Sequence, residues 1–406
     1  MTSALLPLIF LAFAADRPDL VGRVVTSDGA PVVGAHVSID TAGVRKGTSP
    51  LCPSCYLDCR KSAETDEKGE FRIAAVDPDL LFNVLVVADG FRPTFAMKSD
   101  PLKEPVKVAL TAFDPSKFEA NRILKGVVVD AAGRPLAGIK LTPRGFATEA
   151  FRGFSPDILD RLVVTNQKGE FVMTSKSPME YADLLATGSG VAPRIFHGCK
   201  PEANPQKLTM TPGATLTGRV VRDGKPVAGC EVGLVQVSRS ADGYLGETSV
   251  GTDSDGRFTF VNVHPDESVF VYTLMGSIKD AGAADAKKIR VGGEGATTDA
   301  GDFLVVRGHT IKGRVLLSDD KPVPPNTRLL ISREDAWDFR YVDLDAEGRF
   351  EVDGLPTERY SLSVALKGYE VSPKNHSIDP QNARSLVGMI DQDIDGLKIL
   401  MEPRAK

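Results

Sequence analysis

One stretch of sequence occurs four times in this chain, and it restricts the possible folds more than any other feature. Residues 20–34 read LVGRVVTSDGAPVVG, 124–138 read LKGVVVDAAGRPLAG and 216–229 read LTGRVVRDGKPVAG, with a looser copy, IKGRVLLSDDKPVPP, at 311–325. Each is followed by a partner segment: TDEKGEFRI at 65–73, TNQKGEFVM at 165–173, TDSDGRFTF at 252–260 and LDAEGRFEV at 344–352. A repeat of about a hundred residues is the size of a domain, so the chain reads as a tandem array of whole modules.

The pattern inside a module is that of strands. Ala35, Val37 and Ile39 alternate with His36, Ser38 and Asp40, and Ile139 and Leu141 alternate with Lys140 and Thr142. Phe71/Ile73, Phe171/Met173, Phe258/Phe260 and Phe350/Val352 each sit two apart. A period of two puts each set on one face of a half-buried strand, which leaves His36 on the solvent face. Asp28-Gly29, Ala132-Gly133, Asp223-Gly224, Lys68-Gly69 and Asp255-Gly256 supply turns, where glycine accepts a positive φ. Pro31, Pro135, Pro226 and Pro322 fall at the entry to the next strand, where a missing N–H matters least. A third strand follows at 82–88, 269–273 and 360–364. Helical periodicity is missing apart from a possible short helix at 154–162. A unit with several strands and no helix must bury its apolar faces sheet against sheet.

The pattern L-x-G-x-V-V-x-x-x-G-x-P-V-x-G, then T-D-x-x-G-x-F, then a strand ending before Gly-aromatic (Gly90-Phe91, Gly368-Tyr369), resembles the carboxypeptidase regulatory-like domain. The resemblance covers nearly all of the chain past its first residues. It implies an all-β protein of four tandem Ig-like/prealbumin-like β-sandwiches, and a domain that is usually an accessory with no catalytic residues to carry over. The second copy keeps Ala186-Thr187-Gly188 but lacks the aromatic, and Val323-Pro324-Pro325-Asn326 shifts the alternation in the fourth, suggesting a bulge. The expected modules are 16–112, 113–212, 213–308 and 309–406, with short linkers such as 114–121 and 292–301.

Residues 1–15 read as a signal peptide. The apolar run at 4–14 has the length of a secretory core, and Ala12-Phe13-Ala14 fits a small-x-small cleavage site. The run is too short to span a bilayer, and the expected location is secreted or on the cell envelope. Net charge is −5, which argues against a non-specific nucleic-acid binder.

The candidate sites are few. Cys52, Cys55 and Cys59 form C-x2-C-x3-C in one loop. They read as disulfide candidates with one thiol left over. A structural zinc site lacks a fourth ligand here, and a redox C-x-x-C lacks its helix. Cys230 takes the core-facing position of Ala35 and Ile139 and reads as a buried thiol, with a Cys199–Cys230 bridge as the alternative. Asp253-Ser254-Asp255-Gly256 is two ligands short of a calcium loop and reads as an ordinary turn, like the acidic residues Asp66 and Asp345. His36, His197, His264, His309 and His376 show no ligand spacing. Trp337, the only tryptophan, lies among charges and reads as a ligand-loop candidate that could stack on a sugar, or as an anchor for its loop. No catalytic, metal or cofactor-binding residues are expected. The expected function is a non-enzymatic structural, adhesive or protein-interaction scaffold with a protein or glycan partner at the cell surface. The alternatives are a carbohydrate- or peptide-binding module and an accessory to a carboxypeptidase or other hydrolase.

Overall fold

A computed structural model of the chain describes residues 17–404 apart from 46–52, 54–55, 150, 154–157, 204, 241–242, 365, 375–378 and 383–384. The leader segment, Cys52, Cys55 and His376 therefore lie outside the described residues. The chain divides into two compact units, Met1–Asp114 and Pro115–Lys406. The first holds one β-sandwich and the second holds three.

The first sandwich shows the common plan. Its strands are β1 (Leu20–Thr26), β2 (His36–Val44), β3 (Ser62–Glu64), β4 (Glu70–Ile73), β5 (Leu80–Val87), β6 (Thr94–Ser99) and β7 (Val106–Leu110). One sheet has the order β4-β1-β7 and the other β3-β2-β5-β6. β1 runs antiparallel to β4 and parallel to β7. The counterparts of β1 (Ile123–Val129, Ala214–Arg222 and His309–Leu317) likewise pair antiparallel with Glu170–Thr174, Arg257–Val263 and Arg349–Leu355. They pair parallel with Gln206–Thr209, Thr297–Leu304 and Ile394–Pro403. Each sheet pair closes on its own apolar core, led by Phe82, Phe146, Phe260 and Tyr360 in chain order.

The repeated residues hold this plan together. The glycine of L-x-G and the phenylalanine of G-x-F are direct cross-strand partners in every copy: Gly22–Phe71, Gly126–Phe171, Gly218–Phe258 and Gly313–Phe350. A methyl group at Gly313 would sit 2.5 Å from the Leu397 carbonyl oxygen and 2.6 Å from Phe350 Cζ, so the ring occupies the space that a side chain would need. The threonine of T-D-x-x-G is a buried staple. Thr65, Thr165 and Thr252 donate through Oγ1 to the Val32, Leu136 and Val227 carbonyls at 2.7, 2.6 and 2.8 Å. The same oxygens accept from the Ala35, Ile139 and Cys230 N–H groups at 2.8, 2.9 and 2.9 Å. The acidic residues are turn formers. One carboxylate oxygen of Asp66, Asp253 or Asp345 accepts two N–H groups of its own hairpin. Arg23, Arg219 and Arg314 in G-R-V reach across and donate Nε to the carbonyls of Lys68, Asp255 and Glu347 in those hairpins.

Several local expectations are corrected. His36 is buried, 6% exposed, because it lies on an interior strand between its cross-strand partners Glu64 and Val87. Residues 158–162 form no helix; Leu159 bridges Ser175, and Asp160 Oδ2 accepts from the N–H and hydroxyl of Thr174. The proline run of the fourth copy makes a turn rather than a bulge. Asn326 takes φ +62° there, in the place of Gly34, Gly138 and Gly229 at about +70°. Residues 297–301 of the expected linker at 292–301 belong to the last strand of the third sandwich.

Candidate functional site: the joint between the third and fourth sandwiches

The densest buried polar cluster among the described residues joins the last two sandwiches. Arg333 ends the strand Arg328–Arg333, whose alternation points Leu329, Ile331 and Arg333 inward. Its guanidinium, fully shielded from solvent, forms a fork with Glu358 on the neighbouring strand Glu358–Val364, Nε to Oε2 at 2.8 Å and Nη2 to Oε1 at 2.6 Å. Nη1 donates to the Thr273 carbonyl of the third sandwich at 2.6 Å and lies 3.4 Å from Asp338 Oδ2. The Tyr272 ring sits under the guanidinium carbon, 5.6 Å from centroid to Cζ. A backbone bond from Arg333 N–H to the Asp338 carbonyl closes the loop that carries Trp337.

The third sandwich inserts into this frame. After its strand Ser268–Thr273 comes α1 (Met275–Ile278), a single turn of helix. Met275 N–H donates to Asp338 Oδ2 at 2.8 Å, and the fully buried Met275 side chain belongs to the apolar core of the fourth sandwich. Farther along, Ala286 N–H donates to Glu358 Oε1, and Asp285 Oδ1 accepts from Thr357 N–H at 3.1 Å. Arg239 donates to the Glu334 and Ala336 carbonyls at 2.5 and 3.4 Å. Val235, Tyr272 and Ala336 close a small apolar cluster between the two modules.

Charge in this joint is unbalanced, with one guanidinium facing two carboxylates. Burial pushes the Asp338 carboxyl above its ordinary 3.8, while Arg333 and the Met275 N–H partly oppose that. Burial also raises the Tyr272 hydroxyl, which donates to the Trp337 carbonyl at 3.3 Å. Thr273 Oγ1 is buried with no hydrogen-bond partner.

The ligand-loop candidate, Trp337, lies at this joint. The Trp337 ring packs on Tyr244 of the third sandwich, centroids 5.6 Å apart at 33°, and stays 39% exposed. Tyr244 in turn lies 5.9 Å from the Arg144 guanidinium of the second sandwich, so one hairpin of the third module touches both neighbours. The run Arg333-Glu334-Asp335 reads in sequence as a solvated charged loop, and the burial of Arg333 shows only once two strands and a second module surround it.

Among the described residues, the cysteines are not brought together. Cys199 and Cys230 are free thiols buried in separate cores, those of the second and third sandwiches, so the alternative bridge between them is not formed. Burial pushes the Cys199 thiol up to about 11 and raises Cys230. Cys59 is a free thiol too, 3.5 Å from the Pro53 carbonyl and also pushed up to about 11 by burial. Among the described residues, no group of three His, Cys, Asp or Glu is placed to hold a metal ion. No helix among them is long and apolar enough to cross a membrane. A shallow polar groove crosses the third sandwich, where Arg257–Arg219–Asp302 and Thr259–Thr217–Asp299 form two cross-strand rows.

No family model matches this chain, and no curated protein matches it. Solved structures similar to it include a streptococcal ancillary pilin (12% identity, 70% of this chain and all of that one, TM-score 0.25). The minor pilin GBS52 of Streptococcus agalactiae is 14% identical over 48% of this chain and 98% of its own, with a TM-score of 0.24. The TIE protein of Bacillus anthracis is 11% identical over 94% of this chain and 73% of its own, with a TM-score of 0.20. Likenesses this distant bear on neither the fold nor the function of the chain.

Proposed function

We propose that this chain is a non-enzymatic, exported scaffold of tandem β-sandwiches, at 16–112, 113–212, 213–308 and 309–406, whose third and fourth modules present interacting surfaces in fixed relation at the cell surface. The observation that carries this reading is the joint just described. Met275 of one module is buried in the core of the next, and Arg333 ties Thr273 of the third module to Glu358 and Asp338 of the fourth. Modules that bind independently need only a loose linker, whereas a buried joint fixes an angle. The repeated polar residues support it as well: Thr65, Thr165 and Thr252, the turn aspartates and the G-R-V arginines all serve turns and strands of their own sandwich. The leader-like run at 4–14 supports export.

Binding of a glycan through Trp337 is the weaker reading, since part of that ring is committed to Tyr244. The test is a peptidase and esterase screen of the full chain, with and without added zinc, beside a surface cross-linking experiment on cells that produce it. The scaffold reading expects no turnover and covalent capture of neighbouring surface proteins. Turnover that survives repurification would overturn it.

A further inference from the structure

We propose that the joint between the third and fourth sandwiches is a proton lock: its buried site holds one guanidinium against two carboxylates, and it tightens when Asp338 takes up a proton from solvent. This rests on the fixed joint of the scaffold reading and adds a condition under which the joint is strongest. Glu358 is matched to Arg333 by the two-pronged fork, at 2.8 and 2.6 Å. Asp338 is the surplus carboxylate, because its nearest approach to the guanidinium is 3.4 Å from a single oxygen. That same Oδ2 takes the Met275 N–H, which leaves Oδ1 to carry the proton without breaking a bond across the joint. Among the other groups around it, Arg239 of the third module is a cation, but it bonds the Glu334 and Ala336 carbonyls rather than a carboxylate; the rest add negative charge or none. Tyr272 comes from the third module and Tyr360 from the strand beside Arg333, both with hydroxyls held neutral by burial, and Asp285 and Glu247 stand farther out. Arg333 is the cation bonded to the two carboxylates, and its partners keep it charged.

A buried carboxylate in excess of the cations around it is costly, and protonation removes that cost. Because the folded joint holds the Asp338 proton more tightly than free chain does, the added stability is full below the ordinary carboxyl value of 3.8 and is lost as pH rises through the raised one. The joint therefore strengthens as pH falls toward the ordinary carboxyl value.

Hydrogen exchange of the full chain tests this, read by mass spectrometry on peptides covering 273–286 and 334–338 and corrected for intrinsic rates. Exchange at about pH 5 is expected to be slower than at about pH 7.5, by about tenfold for each pH unit over which the proton is held. Asp338→Asn, which keeps the acceptor and mimics the protonated acid, is expected to be slow at both pH values. Glu358→Gln leaves Asp338 as the sole counter-ion of Arg333 and is expected to reverse the trend. Protected peptides with no pH dependence, or a dependence that persists in Asp338→Asn, would overturn the proton lock alone. Free exchange at both pH values in every variant would overturn the fixed joint itself.

Discussion

Two threonines of similar burial carry opposite expectations. Thr165 Oγ1 joins the Leu136 carbonyl to the Ile139 N–H, so Thr165→Val strands two buried backbone groups. The change is expected to lower stability by about 1–3 kcal/mol in denaturant titration. Thr273 Oγ1 is buried without a partner, so Thr273→Val is expected to be neutral or stabilising in the same assay. A loss at Thr273 equal to that at Thr165 would contradict the assignment of staple and bystander. Thiols make a second residue-scale prediction. Burial raises Cys59, Cys199 and Cys230, so peptide mapping after brief alkylation near pH 8 is expected to find all three unmodified in native protein and labelled in denaturant.

Between elements, the parts that follow from local chemistry were legible and the parts that need a second partner were not. β4 and its counterparts follow from period-two alternation, as in Phe71/Ile73, because one buried face imposes that period on a strand. Asn326 was harder to read, because its neighbouring prolines suggested a register slip while its own tolerance of positive φ made a turn. The parallel pairing of β1 with β7 leaves no mark in either strand, since residues such as Val24 and Val108 alternate alike for both directions. The joint was hidden for the same reason. Arg333 is one residue of an alternating strand whose neighbours Glu334 and Asp335 suggest solvent, and its partners lie in another strand and another module. Arg333→Met leaves two buried carboxylates without their cation and is expected to destabilise by about 3–5 kcal/mol. Met275→Ala opens a hole in the fourth core from the side of the third and is expected to lose about 2–5 kcal/mol. Calorimetry of the full chain reads both. A Met275→Ala loss confined to the transition of the third sandwich would contradict its place in the fourth core.

For the molecule as a whole, the account rests on one relation, that the third and fourth sandwiches are held at a single angle by a buried joint rather than strung on a free linker. The exposed Lys225 of the third module and Lys398 of the fourth offer positions for spin labels, one on each module. The buried Cys199 and Cys230 are expected to stay unlabelled. With Cys52, Cys55 and Cys59 replaced by serine, pulsed electron–electron double resonance between labels at Lys225→Cys and Lys398→Cys reads the spread of distances between the two modules, and so how firmly their relative placement is held. A single narrow distance distribution that broadens in Arg333→Met is the predicted result. A broad distribution in the parent protein, unchanged by Arg333→Met, would contradict the account.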